Sequence, residues 1–188
     1  VAEAAHDALR LKYLDGGHRE GCHEQDDGMT LERRRAHHLT FYGFALCFAS
    51  TVIATLYHYA LGRIAPYAYT DLPKVLGLAG GVMLAVGSAD LWRLQARRHT
   101  LQTDLAQRGM DRGFVVLLCA VTVTGLVLTL FRHTGALALL LSLHLGTVMA
   151  LFVTMPYGRF AHGVYRAAAL LKWSIEKRQP LSLKLGSE

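Results

Sequence analysis

Charge is what this sequence lacks. Four stretches, residues 39–62, 72–94, 113–131 and 136–157, carry almost none of it. A soluble helical protein places charges along the exposed face of every helix, so this absence excludes a water-exposed bundle. Cysteine is scarce too. Cys22, Cys47 and Cys119 form neither an even-numbered disulfide framework nor a pair at metal-ligand spacing, and the two inside apolar stretches read as small apolar residues. The first residues lack the charged, apolar, then small order of a signal peptide. There is no internal repeat and no nucleic-acid-binding motif. The chain opens on Val1 rather than Met, and is expected to be a piece of something longer.

What is present is length and apolarity, with 52% hydrophobic residues. Each stretch is close to the ~20 residues an α-helix needs to cross a bilayer's hydrocarbon core. The expected fold is all-α: an integral membrane four-helix bundle in the lipid bilayer, with a short interfacial helix at its C-terminus. The net charge of +6 follows topology rather than nucleic-acid binding. Of twenty Lys and Arg residues, seventeen fall before the first span, around the loop between the second and third, or after the fourth. Only Arg63, Lys74 and Arg132 fall on the other side. Such asymmetry is the positive-inside rule, and it places both termini in the cytoplasm of a bacterial inner membrane.

Residues 1–29 are polar and broken by Gly16, Gly17, Gly21 and Gly28, so only residues 4–13 are expected to form a short helix. The membrane domain covers residues 30–178, opened by Thr30 as N-cap and anchored by Arg33, Arg34 and Arg35. Tyr57, Tyr59, Tyr67 and Tyr69 fit an aromatic belt on the outer side, and three of them, Tyr57, Tyr59 and Tyr67, are also candidates for a quinone pocket. Gly77, Gly80, Gly81 and Gly87 let another helix, or a flat cofactor, approach the second span. Spans three and four form a tight hairpin around residues 132–135. Pro156 kinks or ends the fourth span. Beyond it Val164, Ala167, Ala168, Leu171 and Ile175 share one face suited to the interface, and residues 179–188 form a disordered tail. Asp90, the one acid inside a span, is expected to pair with Arg93 or Arg97.

Histidine is costly at membrane depth and usually has a role there. His58 near the end of the first span and His144 about two turns into the fourth both belong to the outer half of the bilayer. They form a candidate pair of axial ligands for haem b. His38 and His162 form a second candidate pair at the cytoplasmic end, giving one or two haems, with His37 an alternative to His38. These four histidines are the candidate metal ligands. The absence of C-x-x-C-H excludes covalent c-type attachment. Arg63 on the outer side, and Arg159 and Arg166 on the inner, are candidate partners of haem propionates, competing with a plain anchoring role. His133 in the hairpin turn reads as solvated, and His18, Cys22 and His23 match no common zinc pattern.

Several motifs resemble those of the tricarballylate or citrate utilisation protein B family. They are residues 13–17 with Gly21 and Cys22, residues 37–44 beginning His37-His38, residues 54–59 containing His58, residues 109–111, and residues 156–166 containing His162. The resemblance covers most of the chain. It implies a membrane electron-transfer partner of a flavin-containing dehydrogenase, joined to a ferredoxin-like part with [4Fe-4S] clusters, whose cysteine motifs this sequence does not contain. Residues 1–29 would then be the end of that part. The arrangement also looks like the haem b subunit of respiratory nitrate reductase, by analogy only. Together these readings give a membrane cytochrome b that passes electrons from a cytoplasmic flavin-dependent tricarballylate- or citrate-type dehydrogenase to the quinone pool, with no nucleic-acid partner. The rival is a haem-free membrane anchor or small metal or proton transporter.

Overall fold

The structure is a computed structural model and describes residues 6, 22–23, 29–30, 32–97, 105–158 and 161–176. A two-residue antiparallel ladder joins β1 (Cys22–His23) to β2 (Met29–Thr30). Five helices follow: α1 (Glu32–Leu61), α2 (Leu72–Ala96), α3 (Leu105–Leu130), α4 (Leu137–Thr154) and α5 (Ala161–Glu176). The first four are long and apolar enough to cross a membrane, at the four places where charge is missing from the sequence. The expected 4–13 helix, the zinc reading at His18 and the 179–188 tail lie outside the described residues, apart from helical His6. Thr30 does not cap α1. It pairs with Cys22 in the ladder, and the helix opens at Glu32, an acid that suits the positive end of a helix dipole.

Helices adjacent in sequence pack as neighbours in space, and α1 against α2 is the most extensive seam. Its cause is residue size. Along α1, Ala36, Thr40, Gly43, Cys47, Ser50 and Ala54 recur at alternating spacings of four and three. Pro73, Gly77, Gly80, Leu84 and Gly87 do the same along α2. A Cβ on Gly43 would lie 2.6 Å from the Leu84 nitrogen, and one on Gly80 would lie 2.8 Å from the nitrogen of Cys47 and the carbonyl oxygen of Gly43. The two backbones therefore touch directly, the close approach by which helices gain packing energy without a hydrophobic drive from lipid. Ser50 Oγ adds a 2.5 Å bond to the Pro73 carbonyl. At the other end of the seam Arg93 meets Glu32 at 3.6 Å and Asp90 at 3.9 Å, as expected for the acid within the span.

The α1–α2 and α3–α4 connections lie at one end of the bundle, called here the hairpin end. Gly62, at φ 61°, ends α1 in the left-handed conformation that suits glycine. The Arg63 amide reaches back to the Tyr57 carbonyl at 2.9 Å. Arg63 then grips Asp71 through both carboxylate oxygens, at 3.0 and 3.2 Å. Asp71 Oδ2 also accepts from the Ala68 amide at 2.9 Å. These bonds hold the Asp71 carboxyl below its ordinary range, the Arg63 hydrogen bond first and the Ala68 amide second. Tyr67 donates to the Ala54 carbonyl at 3.0 Å and fastens the loop onto α1.

At the far side of the bundle α4 stops at Thr154, and Met155–Tyr157 tighten into a 3₁₀ turn with Pro156 inside it, as its missing N–H requires. The amphipathic α5 starts afresh at Ala161 and exposes Val164, Leu171 and Ile175, three residues of its expected interfacial face.

The glycine seam makes a specific demand on size. Gly80→Val should destabilise the protein by about 1–3 kcal/mol, the usual cost of overpacking, because the obstructing atoms are backbone. Gly146→Ala, where a Cβ meets nothing within 4 Å, should be neutral or mildly stabilising. Unfolding in mixed micelles of mild detergent and dodecyl sulfate measures both, and equal midpoints for Gly80→Val and the parent would refute the seam.

The loop clip makes a pH prediction. Because the folded-state pKa of Asp71 is depressed, its stabilisation is fully present above the unfolded value of about 4. It is lost as pH falls through the lower folded value. The parent should melt above Asp71→Asn at neutral pH, with the gap closing on acidification. A gap that does not change with pH would show that the carboxylate charge is not what holds the loop.

Candidate functional site

Between the four long helices lies an apolar cavity of about 360 Å³, within the size range of small-molecule sites. It exists because α1 follows α2 closely and α4 is held by α3, while no comparable seam joins α1 to α4. Phe48 and Thr51 of α1 face it from one side, and Val148 and Phe152 of α4 from the other. Leu84, Leu118 and Leu151 form a buried cluster with Phe44 and close it away from the hairpin end. Toward the hairpin end its wall includes Pro73, Lys74 and Thr129.

His144 is the one histidine in that wall, and its setting is built from α3. Gly125 supplies the room: a Cβ there would come within 2.9 Å of the imidazole Cε1. Thr124 Oγ1 lies 3.0 Å from His144 Nδ1 and 2.7 Å from the Ala120 carbonyl. A hydroxyl has one proton, and the carbonyl, which can only accept, is the closer partner. Thr124 therefore gives its proton to Ala120 and accepts from Nδ1–H. The Val121 carbonyl is a second acceptor within 3.1 Å of the same hydroxyl. Thr147 donates to the His144 carbonyl at 2.8 Å and leaves this order undisturbed. Nε2 is then the nitrogen left with its lone pair, the state a metal-binding imidazole needs.

The other expected residues are placed apart from the cavity. His58 sits on the last turn of α1, exposed, with its ring edge-on to Tyr59 at 4.9 Å. His38 lies near the opposite end of α1 and stacks on Tyr42 at 5.9 Å. His162 belongs to α5, a separate helix rather than a continuation of α4. Arg166 is half-buried one turn further on, and Arg159 lies outside the described residues. Arg63 is committed to Asp71 and lies over the Tyr57 ring at 4.8 Å. His133 is exposed in the hairpin turn and accepts from Arg132 Nε at 2.9 Å. Among the described residues no group of three or more His, Cys, Asp or Glu side chains gathers as a metal site. An axial haem ligand does not need such a group. One imidazole with a free nitrogen, an apolar slot beside it and a glycine beneath the ring suit a flat iron-bearing group on the His144 side.

Reasoning from sequence missed Thr124 and Gly125. Their signal was a hydroxyl and a glycine side by side on the helix joined to the histidine's own by a short hairpin.

A model of the family described as Citrate utilization protein B matches residues 1–182. Among curated proteins, Citrate utilization protein B of Escherichia coli is 57% identical over 179 residues, covering 95% of this chain and 47% of the relative. The chain thus spans about half the length of the curated relative it matches. No solved structure matches.

The tautomer can be tested with no cofactor bound. In ¹⁵N spectra of histidine-labelled protein in micelles, His144 should show a protonated δ nitrogen and an unprotonated ε nitrogen. Thr124→Val should lose that preference and Thr124→Ser should restore it. An Nε2–H signal in the parent protein would overturn the assignment.

Proposed function

Since the chain belongs to the citrate utilization protein B family, we propose that residues 30–178 form a membrane cytochrome b serving citrate or tricarballylate utilisation. It takes electrons from a cytoplasmic flavin-dependent dehydrogenase, through [4Fe-4S] clusters in a ferredoxin-like part outside these 188 residues, and delivers them to the quinone pool. The observation that carries this reading is His144, fixed by Thr124 in the wall of an apolar cavity between helices that could span a membrane. A neutral imidazole in such a wall suits an iron ligand.

When bound, haem b supplies one-electron chemistry. His144 on α4, through Nε2, and His58 on α1 would hold the outer haem. His38 and His162 are the proposed pair for an inner haem, with Arg166 and Arg159 as its cationic neighbours. The chain's own contribution is orientation and exclusion. Gly125 and Thr124 hold the ring's plane and tautomer, and the Leu84–Leu118–Leu151 cluster keeps water from the inner end of the cavity. Both termini face the cytoplasm of a bacterial inner membrane, which leaves the hairpin end outside and Tyr57, Tyr67 and Tyr69 at that interface.

Purified protein from haem-replete cells should be red, with a Soret band and the reduced α-band of low-spin haem b. His144→Ala and His58→Ala should each abolish one low-spin electron paramagnetic resonance signal. His133→Ala should leave every signal in place. A folded, colourless protein would refute the cytochrome reading and return the chain to a membrane anchor or small transporter. Persistence of all low-spin signals in His58→Ala would move the second ligand elsewhere.

A further inference from the structure

The hairpin end holds three cations and one acid. Residues 57–75 and 128–140 are all described, and Asp71 is their single carboxylate. It is committed to Arg63. Among the described residues Lys74 and Arg132 have no acidic partner, yet they are gathered rather than scattered. Both lie over one ring, Tyr69, with Arg132 Cζ 4.2 Å and Lys74 Nζ 5.5 Å from its centroid. Tyr69 is itself anchored by its hydroxyl to the Thr129 carbonyl at 3.3 Å. Lys74 Nζ donates to Thr129 Oγ1 at 3.2 Å. Arg132 is braced by bonds to the Tyr67 carbonyl at 2.8 Å and to His133. Each cation keeps further N–H groups beyond these.

Two like charges beside one aromatic ring, both partly buried, repel each other and are poorly hydrated. Lys74 also stands in the first turn of α2, where the helix dipole already favours an anion. Among the described residues nothing neutralises the pair, and Lys74 and Thr129 form part of the cavity wall. An acid placed here from outside would relieve the repulsion, and the apolar space behind it would receive whatever that acid is attached to.

We propose that Lys74 and Arg132 form an anion clamp at the hairpin-end mouth of the cavity. The clamp recognises the acidic oxygens of an amphipathic molecule whose apolar body occupies the space between α1 and α4. That chemistry has two sources, the carboxylates of a porphyrin and the phosphate of an anionic membrane lipid. The first rests on the haem reading and the second does not. The clamp also replaces Arg63, the sequence's candidate for this task, which Asp71 neutralises.

The test compares matched pairs of probes on the full chain. Zinc protoporphyrin IX is titrated against its dimethyl ester by fluorescence in micelles, and phosphatidylglycerol is compared with phosphatidylcholine of the same acyl chains by native mass spectrometry. The parent should prefer the acidic member of one pair by about tenfold or more, as charge-assisted hydrogen bonds imply. Lys74→Met with Arg132→Gln should erase the preference, and Lys74→Arg with Arg132→Lys should keep it, which controls for folding. A preference confined to the porphyrin pair identifies a carboxylate ligand, and one confined to the lipid pair a headgroup. Porphyrin bound with equal affinity for acid and ester, together with no lipid preference, would overturn the clamp while leaving the haem reading standing. Lipid preference without porphyrin binding would do the reverse.

Discussion

The backbone contact between α1 and α2 is the constraint from which the rest of the bundle follows. Small residues at most contact positions let the two helices approach until backbone atoms at Gly43, Gly80, Leu84 and Cys47 nearly touch. No comparable seam joins the first helix to the fourth. The third helix packs on α2 through Ser88 and Cys119, whose Oγ and Sγ lie 3.2 Å apart, and the fourth packs on the third. The gap between α1 and α4 is thus a product of where the glycines are.

Polar groups inside the helices are arranged so that this gap remains apolar. The hydroxyls of Thr40, Thr51, Thr55, Thr122, Ser142 and Thr154 each donate to the carbonyl four residues earlier. Such back-bonding satisfies the hydroxyl within its own helix, which is what a chain in lipid requires where no water competes. Thr124 follows the same habit and still has a lone pair to offer across the seam. That leftover acceptor turns an ordinary helix threonine into the group that orients His144.

The parts of the fold set by composition were legible in the sequence. Charge depletion placed the four long helices, Pro156 marked the end of the fourth, and Asp90 found its expected Arg93. What escaped were relations between helices. The small-residue stripe of α1 carries no charge to draw notice, although its four-and-three spacing is written plainly at residues 36, 40, 43, 47, 50 and 54. Depth along a helix was readable for His58 and His144, but rotation about its axis was not. Only His144 turns out to border the cavity. Arg63 looked available because its partner, Asp71, lies eight residues away across a loop that no helical spacing rule connects. His162 lies on α5, a separate element beyond the turn that Pro156 marks.

The three cations that depart from the charge asymmetry of the rest of the chain are better understood together. Arg63 is matched by Asp71 and closes a loop. Lys74 and Arg132 share Tyr69 and have no acidic match among the described residues. Lys74 lies two residues into α2 and His144 seven residues into α4, both counted from the hairpin end, a difference of about 8 Å along the bundle at the rise of an α-helix. Within that length the wall holds first the Lys74 ammonium and then the His144 imidazole, among mostly apolar side chains. A single small amphipathic molecule can engage both features at once while its apolar body covers the wall between them. The same geometry explains why the cavity is closed by leucines at one end and rimmed by cations at the other.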